Sequence, residues 1–236
     1  MQPLEPRYLK KRLESLQFPG PIVELGVGWD LEFHRQPFRE AGYTDFYAHD
    51  FHEYDGAPLD FIGDICDHTT IPDGFAGTAL LFNVLEHVKA PWLAVDEAYR
   101  VLKPGGMLAG SVPLRLAIHR HPRDYWRVCP DGLGFLLRRF KIVHFAIDGD
   151  VGLPANLLWT AEKDVSRDEW EEHNQVAVVQ PEVILDNDYL TNNPWKRAVV
   201  RMLRRSLGMS LEIWDGPWNE QRMRDLGYAN YTVARY

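Results

Sequence analysis

The stretch GPIVELGVGWDLEFH, residues 20–34, decides the fold. Ile22, Val23 and Leu25 form a short apolar run, the pattern of a strand buried on both faces. Gly26 and Gly28 break that run, and the chain resumes as a helical segment that continues through RQPFREAG, where Pro37 should kink or shorten it. A strand that stops at two bare backbone positions and passes into a helix is a binding turn. In open parallel sheets, ligands sit outside the carboxyl ends of the strands. Glu24 stands beside the glycines and would repel a pyrophosphate, and the third glycine of GxGxxG is replaced by Leu31. A ligand with a cationic end fits better, because glycines admit the backbone and a carboxylate meets an ammonium.

Outward from this turn, strand and helix alternate. LEPRYLKKRLESLQ (4–17) has Leu9, Leu13 and Leu16 at helical spacing. TDFYAHD and LDFIGD read as the second and third strands, and residues 78–82 as the fourth. APWLAVDEAYRVLKPGG is a helix with its stop, MLAGSVP a fifth strand, CPDGLGFLLRRF a helix and KIVHFAI a sixth strand. Alternation of this kind predicts an α/β fold, a Rossmann-like, mostly parallel sheet with helices on both faces. The rhythm stops at residue 147. Residues 148–228 are rich in Trp, Asn, Asp and Pro, and YANYTVARY at the end looks like one more strand. The expected organisation is a seven-stranded core from 1–147 and 229–236, with 148–228 as a long insertion before the last strand that forms an acceptor lid or a dimerisation element.

Composition narrows the function. The 236 residues are 45% hydrophobic and 25% charged, enough for a packed core. The net charge of −8 disfavours nucleic acid and anionic membranes as partners. Cys66 and Cys129 are too few for a disulfide framework and lack zinc spacing, which points to a reducing, cytoplasmic setting. Lys10, Lys11 and Arg12 are followed by LESLQFPG rather than an apolar run, so neither a signal peptide nor a membrane span is expected. HDFHEYD (49–55) is not expected to hold a metal, because His49 and His52 point to different faces of a strand. Asp50 ends the second strand 22 positions after Gly28, where a carboxylate can accept both hydroxyls of a ribose. Phe51 follows and can cover an adenine face.

VELGVG resembles the first motif of class I S-adenosylmethionine-dependent methyltransferases, with Asp30 where a third glycine is usual. LFNVLEHVKAPWLAVDEAYRVLKPGGMLAGSVP (81–113) is similar to the fourth and post-fourth motifs of the methyltransferase type 11-like group, and IHRHPRDYWRVCPDGLGFLLRRF (118–140) to a stretch found in some members. The resemblance covers roughly residues 20–147. It implies S-adenosylmethionine as cofactor, with S-adenosylhomocysteine as product. It also implies that Asp64 takes the adenine amino group, that the amide of Ile65 meets a ring nitrogen, and that Asn83 lines the cleft. Glu86 and His87 begin the next segment and are candidates for the methionine part; a helix-start acid for dipole reasons is the plainer reading.

Methyl transfer from a sulfonium needs an acceptor atom held in line, and a base when the acceptor is a hydroxyl or protonated amine. The acceptor should enter over the loops after the fourth and fifth strands, which carry His87, His119, His121, Asp124 and Tyr125. His119 is the expected base and His121 the runner-up, since Pro122 restricts it. Asp124 should orient the imidazole or pair with Arg127, and Tyr125 should position the acceptor. PWKRAVVRMLRRSLG (194–208) reads as an amphipathic helix with a solvated basic face, or as a wall for an anionic acceptor. The expected activity is transfer to O or N of a small molecule, such as a sugar, an amino sugar or another secondary metabolite. A non-catalytic partner subunit and a nucleotide-dependent oxidoreductase are the alternatives, and a homodimer is left open.

Overall fold

The computed structural model describes residues 4–54, 58–120, 123–150, 153–164, 182–184 and 232–234. Four helices and nine strands are placed: α1 (Leu4–Leu13), β1 (Ile22–Leu25), α2 (Arg35–Glu40), β2 (Phe46–Asp50), β3 (Phe61–Ile62), β4 (Ala76–Phe82), α3 (Pro91–Val101), β5 (Leu102–Pro113), α4 (Pro130–Leu136), β6 (Phe140–Asp150), β7 (Leu153–Lys163), β8 (Glu182–Ile184) and β9 (Thr232–Ala234). They form one sheet in the order β3-β2-β1-β4-β5-β7-β6-β8-β9. Every neighbouring pair is parallel except those made by β7, which runs antiparallel to both β5 and β6.

The central strands are mostly apolar because both faces are covered. All four residues of β1 and all seven of β4 are buried. Side chains alternate between two cores. Ile22, Leu80, Phe82, Met107 and Ala109 face a layer with Leu9, Phe18 and Phe38, on the side of α1 and α2. Val23, Leu25, Ala79, Leu81 and Leu108 face the opposite layer, with Ala94, Val95 and Ala98 of α3 and Leu133 and Leu136 of α4.

Several boundaries differ from the sequence reading for local reasons. The helix expected from residue 30 starts only at Arg35, so that Pro37, which lacks an N–H, lies in its first turn. Pro91 opens α3, and α3 ends at Val101; Lys103-Pro104-Gly105-Gly106 then lies inside an irregular first part of β5.

The seventh strand of the core is β7, inside the segment read as insertion. It forms a hairpin with β6, with Ile147 opposite Leu157 and Phe145 opposite Trp159. The expected final strand joins the sheet at Thr232–Ala234, at its outer edge beside β8. The lid assignment and the basic helix 194–208 lie mostly or wholly outside the described residues. Among the described residues, no helix is long and apolar enough to cross a membrane.

Candidate functional site

The glycine turn sits at the carboxyl end of β1, between the ends of β2 and β4. Gly26 has φ +81° and Gly28 φ +64°, in the left-handed region open to glycine. A Cβ on Gly26 would stand 2.5 Å from Cγ2 of Val84, so the turn is also pressed against the loop after β4. The amides of Gly26 and Val27 donate to the His49 carbonyl at 2.8 and 3.2 Å. The amide of Gly28 donates to Asp50 Oδ2 at 2.8 Å, and the amide of Phe51 to Asp50 Oδ1 at 2.7 Å. Asp50 is therefore fixed at the turn by two backbone donors. A Cβ on Gly28 would meet nothing within 4 Å, so this side of the turn is an open cradle. Phe51 is exposed at its mouth.

Glu24 does something other than face this cradle. In β1 it shares a face with Ile22, toward α2, because side chains repeat every two residues. It is 2% exposed, accepts a 2.6 Å hydrogen bond from His34 Nδ1 and lies 3.7 Å from Arg35 Nε. His34 in turn stacks on Phe82 at 4.5 Å. The carboxylate thus ties the start of α2 to the sheet behind the glycine turn. The expectation that this carboxylate meets the cationic end of a ligand is at odds with its burial.

On the β3 side, Asp64 accepts a hydrogen bond from the Cys66 amide at 2.9 Å and shapes its own turn, while Ile65 is buried in the α3-side core. On the β4 side, Asn83 has φ +53°, an uncommon conformation for a non-glycine residue. Its side chain donates to Glu5 Oε1 of α1 at 3.0 Å and accepts from Ser111 Oγ of β5 at 3.0 Å. Glu5, Ser111 and His34 are partners that the sequence reading did not identify. Ser111, an isolated polar residue in the apolar run of β5, was the one visible signal.

The loops after β4 and β5 bring Glu86, His87, His119, Asp124 and Tyr125 together. The amides of Tyr125 and Trp126 donate to the Glu86 carbonyl at 2.7 and 3.3 Å. Glu86 is fully buried, and neither carboxylate oxygen has a hydrogen-bond partner among the described residues. Burial pushes its carboxyl up to about 8, although its own backbone amide and Arg127 pull the other way. His119 and His87 pack edge to face with ring centres 4.8 Å apart. Asp124 accepts from the His119 amide at 2.8 Å and lies 3.4 Å from its Nδ1. Arg127 grips both oxygens of Asp124 and holds its carboxyl well below the ordinary range. Asp124 thus pairs with Arg127 and holds the His119 backbone at once. Tyr125 is exposed beside them. His121 lies outside the described residues.

The fold has known counterparts. The methyltransferase-domain family model matches residues 43–110. A chain in the Haloferax volcanii complex between the Trm112 methyltransferase activator and a methyltransferase has a similar fold, with a TM-score of 0.53 and 14% identity over 69% of this chain and 90% of that one. So does 1,6-didemethyltoxoflavin-N1-methyltransferase from Burkholderia thailandensis, solved with 1,6-didemethyltoxoflavin and S-adenosylhomocysteine, with a TM-score of 0.52 and 20% identity over 68% and 78%. No curated protein matches the chain in sequence. The fold is that of the class I S-adenosylmethionine-dependent methyltransferases, and S-adenosylmethionine is the cofactor such a domain takes.

Proposed function

We propose that this protein, a class I S-adenosylmethionine-dependent methyltransferase by fold and domain match, methylates an oxygen or nitrogen of a small-molecule acceptor. A sugar or amino sugar is the first class to test. The observation that carries the reading is the juxtaposition of two parts on one end of the sheet. One is the glycine turn with Asp50; the other is the imidazole–carboxylate cluster of Glu86, His119 and Asp124. When bound, S-adenosylmethionine supplies an electrophilic methyl group on a sulfonium.

The residues present suit it. Gly28 leaves open space for a ligand, and Asp50 offers its carboxylate to ribose hydroxyls. Phe51, Asp64 and the Ile65 amide flank the adenine end, and Asn83, Glu86 and His87 the methionine end. The cluster receives the acceptor proton, with His119 Nε2 as its first recipient and Asp124 as the group that positions the ring. Tyr125, exposed at the same loop, positions the acceptor. The protein works in a reducing compartment, where Cys66 and Cys129 remain thiols.

Calorimetry with S-adenosylhomocysteine and, separately, NAD tests the cofactor. Labelled-methyl transfer to a panel of sugars, amino sugars and phenols then tests the acceptor class. Binding of NAD alone would sink the proposal. Binding of neither would favour a second reading, a partner subunit that keeps the fold. That reading draws on Asp30 in place of the third glycine.

A further inference from the structure

Glu86 and His87 follow β4, and His119 follows β5. These are adjacent parallel strands, so both loops leave the same end of the sheet. Besides the bonds to the Glu86 carbonyl, Trp126 Nε1 donates to the Val88 carbonyl at 2.9 Å and fastens the loops to each other. Three donor atoms converge there. Glu86 Oε1 lies 3.6 Å from His87 Nε2 and 3.9 Å from His119 Nε2. One ligand atom from each residue falls within 4.8 Å of the others. Two ligands at about 2.1 Å from one ion in a tetrahedral site stand about 3.4 Å apart, so the observed spacing is a slightly open version of that arrangement.

Two further observations point to a cation. The Glu86 carboxylate is fully buried with both oxygens unpartnered among the described residues, and it is aimed at the two imidazoles. Burying a carboxyl group without a hydrogen-bond partner is costly, and a divalent ion bound by it offsets that cost directly. The outer ring nitrogens are also held. His87 Nδ1 meets the Arg123 carbonyl oxygen; His119 Nδ1 lies 3.2 Å from the Ala117 carbonyl oxygen and 3.4 Å from Asp124 Oδ2. With Nδ1–H donating outward, Nε2 of each ring is turned to the cluster as a ligand, the arrangement that orients metal-binding histidines.

We propose that Glu86, His87 and His119 bind one divalent first-row transition-metal ion of the zinc class. Two imidazoles and one carboxylate suit Zn²⁺, Fe²⁺ or Co²⁺ better than Mg²⁺ or Ca²⁺. Three protein ligands leave coordination positions open. The binding site stands on its own; what fills the open positions rests on the methyl-transfer reading, and is an acceptor hydroxyl. Coordination acidifies such a hydroxyl, whose proton then passes to water. An ion and a proton compete for the same nitrogen of His119, so the ion, when bound, replaces the imidazole base. The sequence reading expected no metal; His87 and His119 stand 32 residues apart, a separation that matches no metal-binding spacing.

The test uses the full chain, stripped with chelator and checked by circular dichroism. Co²⁺ is titrated and its visible d–d absorption followed, then Zn²⁺ is added to displace it. The expected result is one Co²⁺ per chain, displaced by Zn²⁺. Glu86→Gln and His119→Gln should each weaken it by more than about 100-fold, and Asp124→Asn by about 10–100-fold with the spectrum retained. His119→Gln, on the exposed side, carries the test if Glu86→Gln fails to fold. Absence of Co²⁺ and Zn²⁺ binding at about 100 μM by the folded chain overturns the proposal. Unchanged affinity in folded His119→Gln overturns it too. S-adenosylhomocysteine is titrated into the same wild-type sample. Metal without that ligand leaves the site standing and sinks the cofactor reading, and the ligand without metal does the reverse.

Discussion

Replacing Gly26 by alanine should damage the protein in two separable ways. Its φ of +81° imposes a left-handed backbone, which costs an alanine about 1–2 kcal/mol. Its new Cβ would also sit 2.5 Å from Cγ2 and 3.3 Å from Cγ1 of Val84, a side chain stiff at χ1 and 9% exposed. Overpacking of this kind costs about 1–3 kcal/mol. Gly26→Ala should therefore lose about 2–5 kcal/mol, a large share of the total stability of a domain. Val84→Ala removes the atoms that clash but not the backbone strain. The double variant should be less destabilised than the sum of the singles by about 1–3 kcal/mol. Urea unfolding of the four proteins measures this cycle. S-adenosylhomocysteine titration reads the other half: the double variant should recover stability but not full affinity, because the backbone carrying the Gly28 amide remains displaced. A Gly26→Ala protein within about 0.5 kcal/mol of wild type, or strict additivity with Val84→Ala, would refute the reasoning.

Three other outcomes are expected. Asp50→Ala should weaken S-adenosylhomocysteine binding by about 1–3 kcal/mol in calorimetry, through loss of a charged acceptor and of the group that fixes the Gly28 amide. Glu24→Ala should cost about 3–5 kcal/mol of stability in chemical denaturation, because Arg35 would be left buried without its carboxylate; unchanged stability would mean the pair is not formed. Glu97 is raised by burial, but hydrogen bonds from Arg100 and Thr69 outweigh that and hold it below the ordinary carboxylate value. Its stabilisation is present above the unfolded pKa and lost as pH falls through the lowered folded one. The melting-temperature gap between wild type and Glu97→Gln should thus be widest near neutral pH and shrink in acid.

Much of this was legible because the signals are local. The apolar runs of β1 and β4, the glycine turn, Pro91 at the start of α3 and the aspartate ending β2 each follow from a few adjacent residues. What was misread depended on distance or direction. LPANLLWTAEK carries Asn and Trp and follows β6 without a helix, so the alternation that revealed the other strands is absent from β7. The two-residue period of β1 puts Glu24 with Ile22 on the α2 side, a point that the attraction of a carboxylate beside glycines concealed. Glu86, His87 and His119 are neighbours only because β4 and β5 are paired, a relation that no spacing in the chain expresses.

The placement of β7 also bears on how the chain is made. β5 is finished at Pro113, yet the strand that covers its outer edge ends only at Lys163, fifty residues later. At the usual pace of a ribosome, the gap lasts about 2.5–10 s. During that time Leu108, Val112 and their open backbone groups present a ready-made template to any passing strand. The newborn polypeptide thus passes through an interval of aggregation risk that the finished molecule no longer shows, and the β6–β7 hairpin, formed from adjacent sequence, ends it in a single step.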